Sequence, residues 1–262
     1  MGAISGDAAF STYEKFAEIY DDFNYRNDYE MWLGRKLLPE LEQRGLRKGR
    51  VLDVGCGTGR AFEPLLKRGW EVHGCDISPA MLARAREQFG EAVELDVADM
   101  RELPVFGEFE LVVALNDAVN YLIGDGELEL AVQGMAANLA PDGLLLFDCN
   151  SRMMFRLAYE SVEDAVENDG RRWTWTALGR PDESRPVYQV RIEGDGTEPI
   201  VNQERYFRIE EVEAAVAGAG LELLAVLGQR EEGPEVAMRE PPDEERDHKI
   251  VYIARRLNTT HR

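Results

Sequence analysis

Val51-Leu52-Asp53-Val54-Gly55-Cys56-Gly57-Thr58-Gly59-Arg60 decides the fold. A β-rich run carrying Asp53 gives way to Gly55, Gly57 and Gly59, and a helical pattern follows. Glycine adopts positive φ freely and lets a ligand approach the backbone closely. In open α/β sheets, ligands sit at the carboxyl ends of the strands, where the strand order reverses. A first strand–loop–helix unit is that place.

Around this unit the same alternation continues. β-rich runs at 50–54, 71–75, 92–96, 110–115 and 143–149 alternate with helical patterns at 60–68, 79–89, 126–139 and 151–166. Such alternation predicts an α/β fold, a doubly wound parallel sheet with helices on both faces. Ser78-Pro79 is a helix start, with serine as the cap and proline at the first helical position. Pro141-Asp142-Gly143 is a turn into a buried strand.

Upstream, residues 13–45 read as two helices. Phe16, Ile19, Tyr20 and Phe23 recur at helical spacing, then Trp32, Leu33, Leu37, Leu38 and Leu41. Residues 24–28 interrupt them, and Gly45 closes the second. Downstream, runs at 171–177, 187–192 and 200–208 alternate with period two, and Gly194-Asp195-Gly196 is a turn between the last two. They predict a three-stranded antiparallel β-meander inserted into the α/β frame. A helix at 210–219, ended by Gly220, and strands at 221–227 and 249–257 complete the frame. The acidic segment 231–247 reads as a surface loop.

The bulk composition narrows the function. The chain has 262 residues, 44% hydrophobic and 31% charged, enough for a sizeable core. No apolar run approaches the ~20 residues that span a bilayer, and residues 1–10 lack a secretory pattern. Cys56, Cys75 and Cys149 form no CxxC pair and read as reduced thiols of a cytoplasmic protein. The formal charge of −20 repels nucleic acid, whose binding draws its affinity from cations on phosphates. Arg152, Arg156, Arg171 and Arg172 lack a periodic partner and read as solvated.

The glycine loop does not suit NAD. Counting GxGxxG from Gly55 puts Arg60 at the third glycine, where helix and strand pack closely. Asp53 would also repel a pyrophosphate but attract an ammonium. S-adenosylmethionine carries that ammonium. Asp53 and the loop amides suit its methionine end, and Asp76, closing the second strand, can accept both ribose hydroxyls. Asp99 can accept from the adenine amino group, with Met100 against the ring.

DVGCGTG at 53–59, CDISPAML at 75–82, DVADM at 96–100, FELVVALNDAVNYL at 109–122 and LAPDGLLLFD at 139–148 resemble class I S-adenosylmethionine-dependent methyltransferases. The resemblance covers residues 13 to about 150 well and the closing strands loosely. It implies a Rossmann-like seven-stranded sheet with an antiparallel last strand, and S-adenosylhomocysteine as the cofactor product. It also implies cofactor contacts from Gly55, Cys56, Gly57, Gly59, Ile77, Met81, Leu115 and Asn116. The opening Tyr13, Tyr20-Asp21 and Asp28-Tyr29 are similar to amino-sugar N-methyltransferases and glycine N-methyltransferase-like proteins. There the N-terminal helices lie over the cofactor, which implies Tyr13, Tyr20 and Arg35 beside it.

The resulting division is a helical lid at 1–45, a Rossmann-like domain at 46–167 and 209–262, and a β-meander at 168–208 over the acceptor site. Base-modifying relatives carry an Asx-Pro-Pro-aromatic signature after the fourth strand, and Leu115-Asn116-Asp117-Ala118 lacks it. The expected acceptor is therefore a small molecule, with an amine nitrogen preferred because a histidine base is wanting. Asp117 can take a proton or hold a cationic amine, and Asn120 can orient polar groups. Asp148, Asn150, Trp173, Trp175 and Tyr206 are expected to line the acceptor site. Asp117, Asp148 and Asn150 resemble the oxygen ligands of a magnesium-dependent catechol methyltransferase, but no metal is expected. The rival readings are O- or C-methylation, a non-catalytic S-adenosylmethionine-binding module and an NAD-dependent oxidoreductase. The oligomeric state is left open, a dimer included.

Overall fold

The computed structural model describes residues 5–160, 164–179, 186–232 and 235–257. Five parallel strands build the frame: β1 (Arg50–Val54), β2 (Glu71–Asp76), β3 (Glu94–Val97), β4 (Phe109–Ala114) and β5 (Leu139–Asn150). A second sheet follows, of β6 (Asp164–Asn168), β7 (Arg171–Ala177), β8 (Val187–Gly194) and β9 (Thr197–Arg205), all antiparallel. The chain then returns to the first sheet as β10 (Leu221–Glu232), β11 (Glu235–Arg239) and β12 (Lys249–Arg256). The first sheet has the order β11-β10-β12-β5-β4-β1-β2-β3. Strand order reverses between β1 and β4, and the last strand, β12, is antiparallel to β5 as expected.

The helices are α1 (Ser5–Phe16), α2 (Tyr20–Phe23), a π-helix (Glu30–Leu37) running into α3 (Leu38–Gln43), α4 (Phe62–Lys67), α5 (Pro79–Phe89), α6 (Glu127–Ala137), α7 (Arg152–Glu160) and α8 (Ile209–Gly218). Successive strand side chains point to opposite faces, so the apolar runs feed two cores. Leu52, Val112 and Leu145 join α6 and α8 through Val132, Met135, Val212 and Val216. Val51, Leu111 and Leu144 join the other helices through Leu33, Leu41, Phe62 and Leu82. Each of these aliphatic side chains contributes about 1.5–3 kcal/mol by leaving water. Among the described residues no helix is long and apolar enough to cross a membrane.

A third cluster positions the N-terminal segment. Phe16, Ala17 and Ile19 pack with Trp173, Ile192 and Ile200 of the second sheet and with Met81 of α5. Polar bonds hold the same segment over the glycine loop. Thr58 donates to Asp21 at 2.7 Å, and Arg60 donates to the carbonyls of Asn24 and Asn27 at 2.5 and 2.9 Å. Glu14 accepts from the Ser78 hydroxyl and from Ala80 N at 2.7 and 2.9 Å, reinforcing the Ser78 cap of α5.

Two segments differ from expectation. The helix expected over 151–166 ends at Glu160, and β6 forms a hairpin with β7, giving the second sheet four strands. Asp169 and Gly170 both take positive φ, 48° and 76°, and Asp-Gly in that conformation closes a two-residue hairpin matched to strand twist. The segment expected as a loop over 231–247 supplies the end of β10 and all of β11, so the large sheet has eight strands instead of seven. Val236 and Met238, two residues apart, pack onto the core and account for the extra strand.

Candidate active site

The glycine loop is tied down before it meets any ligand. Gly55 N and Cys56 N donate to the Cys75 carbonyl at 2.8 and 3.0 Å. Gly57 N donates to Asp76 Oδ2 at 2.8 Å and Ser78 N to Asp76 Oδ1 at 2.9 Å. Gly55 and Gly57 have φ of 75° and 56°, and a Cβ on Gly57 would meet nothing nearer than Tyr20 at 4.0 Å. The loop thus leaves open space at the carboxyl end of β1, at the reversal of strand order.

That space is a cleft of about 720 Å³, its open mouth included. Its walls come from Gly55, Gly57, Asp76, Ile77, Asp99 and Met100, with Leu115 and Asn116 beyond β4. Tyr13 and Tyr20 cover it from the N-terminal segment. Burial raises the Asp76 carboxyl, partly offset by its backbone N–H bonds. Burial also raises Asp99, but its bonds from the Arg101 guanidinium and backbone outweigh that and hold it below the usual carboxylate range. Asp53 is 2% exposed and stands behind the wall. Burial, then the neighbouring Asp76 carboxylate, pushes it up to about 8.

A second cavity of about 1220 Å³, mouth included, adjoins the first and shares Tyr13, Tyr20, Asn116 and Tyr121 with it. Asn116 and Asp117 turn the chain there with φ of 58° and 59°. Left-handed backbone at two successive non-glycine residues costs energy, is tolerated best by Asn and Asp, and clusters at functional sites. Lys249 Nζ lies 2.5 Å from Asp117 Oδ1 and 2.9 Å from Asp148 Oδ2. Its ammonium lies between the two carboxylates and balances one of their two charges, within the oxygen set that resembled a magnesium site.

Glu204, on β9, is the other carboxyl of this cavity. It accepts from Tyr121 OH at 3.3 Å, Asn202 Nδ2 at 2.9 Å and Asn150 Nδ2 at 2.9 Å. Burial, then the Asp117 charge, pushes it up to about 7 against the opposing Asn150 bond and Lys249. Glu204, Lys249 and Tyr121 were not singled out in the sequence. The signal for Glu204 was faint: Asn202 and Glu204 follow Ile200 at alternate positions, on one face of a strand that is polar over most of its length.

The cavities bring together many, but not all, of the expected site residues. Asp117, Asn150 and Trp175 line the second cavity. Asn120 lines neither: its amide donates to the Arg205 carbonyl at 2.7 Å and accepts from Asn150 N at 2.9 Å, so both ends are spent joining β9 to β5. Asp148 is fully buried behind Asp117, accepting from its backbone N–H. Trp173 is core, its indole donating to the Asp195 carbonyl at 2.8 Å. Tyr206 donates to Glu244 at 2.7 Å, away from the cavity wall. Arg35 points outward, 3.8 Å from Glu30. Met81 is core beneath α1, and Cys56 is buried beside the loop. Gly59 packs inward as well. With φ at 81° and a Cβ set to fall 2.6 Å from the Phe62 ring, Gly59→Ala is expected to destabilise by about 1–3 kcal/mol. Chemical denaturation would measure this, and cofactor affinity of the folded protein is expected to survive.

Comparison with known proteins bears on the domain and the fold. Residues 51–143 match the methyltransferase domain family. The chain is 28% identical to the Bacillus subtilis (strain 168) protein YqeM, provisionally named a methyltransferase, over 80% of this chain and 87% of that one. It is 35% identical to the dTDP-3-amino-3,6-dideoxy-alpha-D-glucopyranose N,N-dimethyltransferase of Streptomyces fradiae, over 51% of this chain and 52% of that protein. The fold superposes on an S-adenosylmethionine-dependent methyltransferase from Clostridium acetobutylicum ATCC 824 with a TM-score of 0.74 at 21% identity, covering 94% and 99% of the two chains. The chain is an S-adenosylmethionine-dependent methyltransferase with a Rossmann-like fold.

Proposed function

We propose that the protein methylates an amine nitrogen of a small molecule by in-line displacement. The observation that carries this reading is the junction of the two cavities at Tyr13, Tyr20, Asn116 and Tyr121. A donor in the first and an acceptor in the second would meet there, excluded from water by three tyrosines. Bound in the cleft, S-adenosylmethionine would supply an electrophilic methyl on sulfur. Asp76 would accept the ribose hydroxyls, Asp99 and Met100 would meet the adenine, and the Gly55 and Gly57 loop would hold the methionine end. Asp53 would face the ammonium through the loop. Tyr13 and Tyr20 would roof the cofactor, and the second sheet would cover the acceptor. An amine is favoured because the carboxyls of Asp117 and Glu204 make the acceptor cavity acidic.

The test is calorimetric titration with S-adenosylhomocysteine, beside NADH, in two pH 7 buffers of different ionisation enthalpy. In the free protein Asp53, at about 8, is largely protonated at pH 7. This raised value stabilises the fold at low pH, and the contribution is lost as pH rises through about 8. An approaching ammonium favours the carboxylate, so S-adenosylhomocysteine is expected to bind with release of up to about one proton, and NADH not to bind. Asp53→Asn should abolish the buffer dependence. Binding of NADH in place of S-adenosylhomocysteine would overturn the reading.

A further inference from the structure

We propose that the acceptor is an amine carried on an aromatic or aliphatic body, held as its ammonium against Glu204 and Asn202 and giving one N–H proton to the Glu204 carboxylate before its lone pair attacks the methyl. This rests on the methyltransferase reading above and specifies the acceptor class.

The lining of the second cavity includes several hydrogen-bond acceptors, of which Asn202 and Glu204 stand together. Asn202 donates its Nδ2 to Glu204, which leaves Asn202 Oδ1 buried and without a partner beside the carboxyl. Gln229 Oε1, from β10, is a second buried acceptor without a partner among the cavity-lining residues. A buried unpaired acceptor costs about 1–3 kcal/mol, which a donor ligand recovers. Two amide oxygens and a carboxylate call for a ligand group that only donates and carries positive charge. An ammonium does both.

Apolar and aromatic side chains make up a large part of the remaining wall, beside Asn24, Asn27, Asn116, Asp117 and Lys249. Phe16, Phe23, Trp175, Tyr188, Val190 and Ile192 face the cavity from α1, α2, β7 and β8. Aromatic walls suit an aromatic or aliphatic body and hold a cation well at their polar end. The wall suits a phosphorylated acceptor poorly. Among the described lining residues the basic side chains are Lys249, already between two carboxylates, and His248. A nucleotide diphosphate, as in the name of the Streptomyces fradiae relative, would find no uncommitted arginine or lysine on this wall.

The experiment uses the full chain saturated with S-adenosylhomocysteine, and calorimetry with 2-phenylethylamine, its neutral analogue 2-phenylethanol, and dTDP. The amine is expected to bind, the alcohol at least about tenfold more weakly, and dTDP not to bind this cavity. Glu204→Gln is expected to weaken the amine at least about tenfold while leaving S-adenosylhomocysteine affinity within about twofold. Trp175→Ala should weaken amine and alcohol alike. Equal binding of amine and alcohol by the wild type would overturn the proposal, and this comparison needs no variant to fold. Failure of 2-phenylethylamine, tryptamine and hexylamine alike to bind, competition by dTDP, or an unaffected Glu204→Gln would also overturn it. Failure of S-adenosylhomocysteine itself to bind would instead bring down the cofactor reading beneath it.

Discussion

Replacing Asp76 with alanine is expected to weaken S-adenosylhomocysteine binding at least about 100-fold, or ~2.7 kcal/mol. Two effects add. The carboxylate is the group on the cleft wall suited to both ribose hydroxyls, and hydrogen bonds to a charged acceptor are worth about 1.5–3 kcal/mol each. Its two oxygens also accept from Gly57 N and Ser78 N, so removal releases the glycine loop and the start of α5 together. Asp76→Asn keeps one carbonyl oxygen and nearly the same shape, and it should fall between wild type and alanine. Calorimetry gives the affinity, and far-ultraviolet circular dichroism checks the fold. Binding by Asp76→Ala within about threefold of wild type would remove Asp76 from the cofactor site.

Lys249→Met is expected to destabilise the protein by about 3–5 kcal/mol, since it strands two buried carboxylates without their cation. Asp148 is fully buried and Asp117 nearly so, and the Lys249 ammonium contacts both. In a domain of this size the loss lowers the melting temperature by about 2–4 °C per kcal/mol. The deficit should shrink as pH falls. Burial and the Asp148 charge already raise the Asp117 carboxyl in the wild type, even beside Lys249. A raised carboxyl stabilises at low pH and loses that contribution as pH rises through its folded value. Without Lys249 it rises further, so Lys249→Met should approach wild type more closely at pH 5 than at pH 8. Adding Asp148→Asn to Lys249→Met should restore part of the loss. A melting temperature unchanged at both pH values would show that the triad carries no net stability.

The frame of this protein was legible in the order of its residues. Val51–Gly59, Ser78-Pro79 and Gly45 act through φ preference and capping over a few residues, and each forms what it specifies. The two segments that departed also held local signals, Asp169-Gly170 and the Val236–Met238 alternation. They lost out to a longer helical pattern in one case and to an acidic, proline-bearing composition in the other. In the first cleft, Asp76, Asp99 and Met100 fall at the ends of parallel strands, and parallel strands end on one side of a sheet. Their convergence therefore followed from the alternation alone.

The second cavity obeyed a different rule. Asn150, Glu204 and Lys249 come from β5, β9 and β12, and they meet because of sheet order and register. Asn120 and Tyr206 have the right chemistry but spend it on neighbouring strands and loops, and Trp173 and Trp175 divide between core and cavity. A strand's period of two tells that alternate side chains share a face, but not which face the partner sheet will cover. Local sequence thus determined the strand ends and the glycine loop, while long-range pairing chose which polar side chains stayed free for a ligand. The reason is that hydrogen-bond satisfaction in a buried site depends on neighbours supplied from far along the chain.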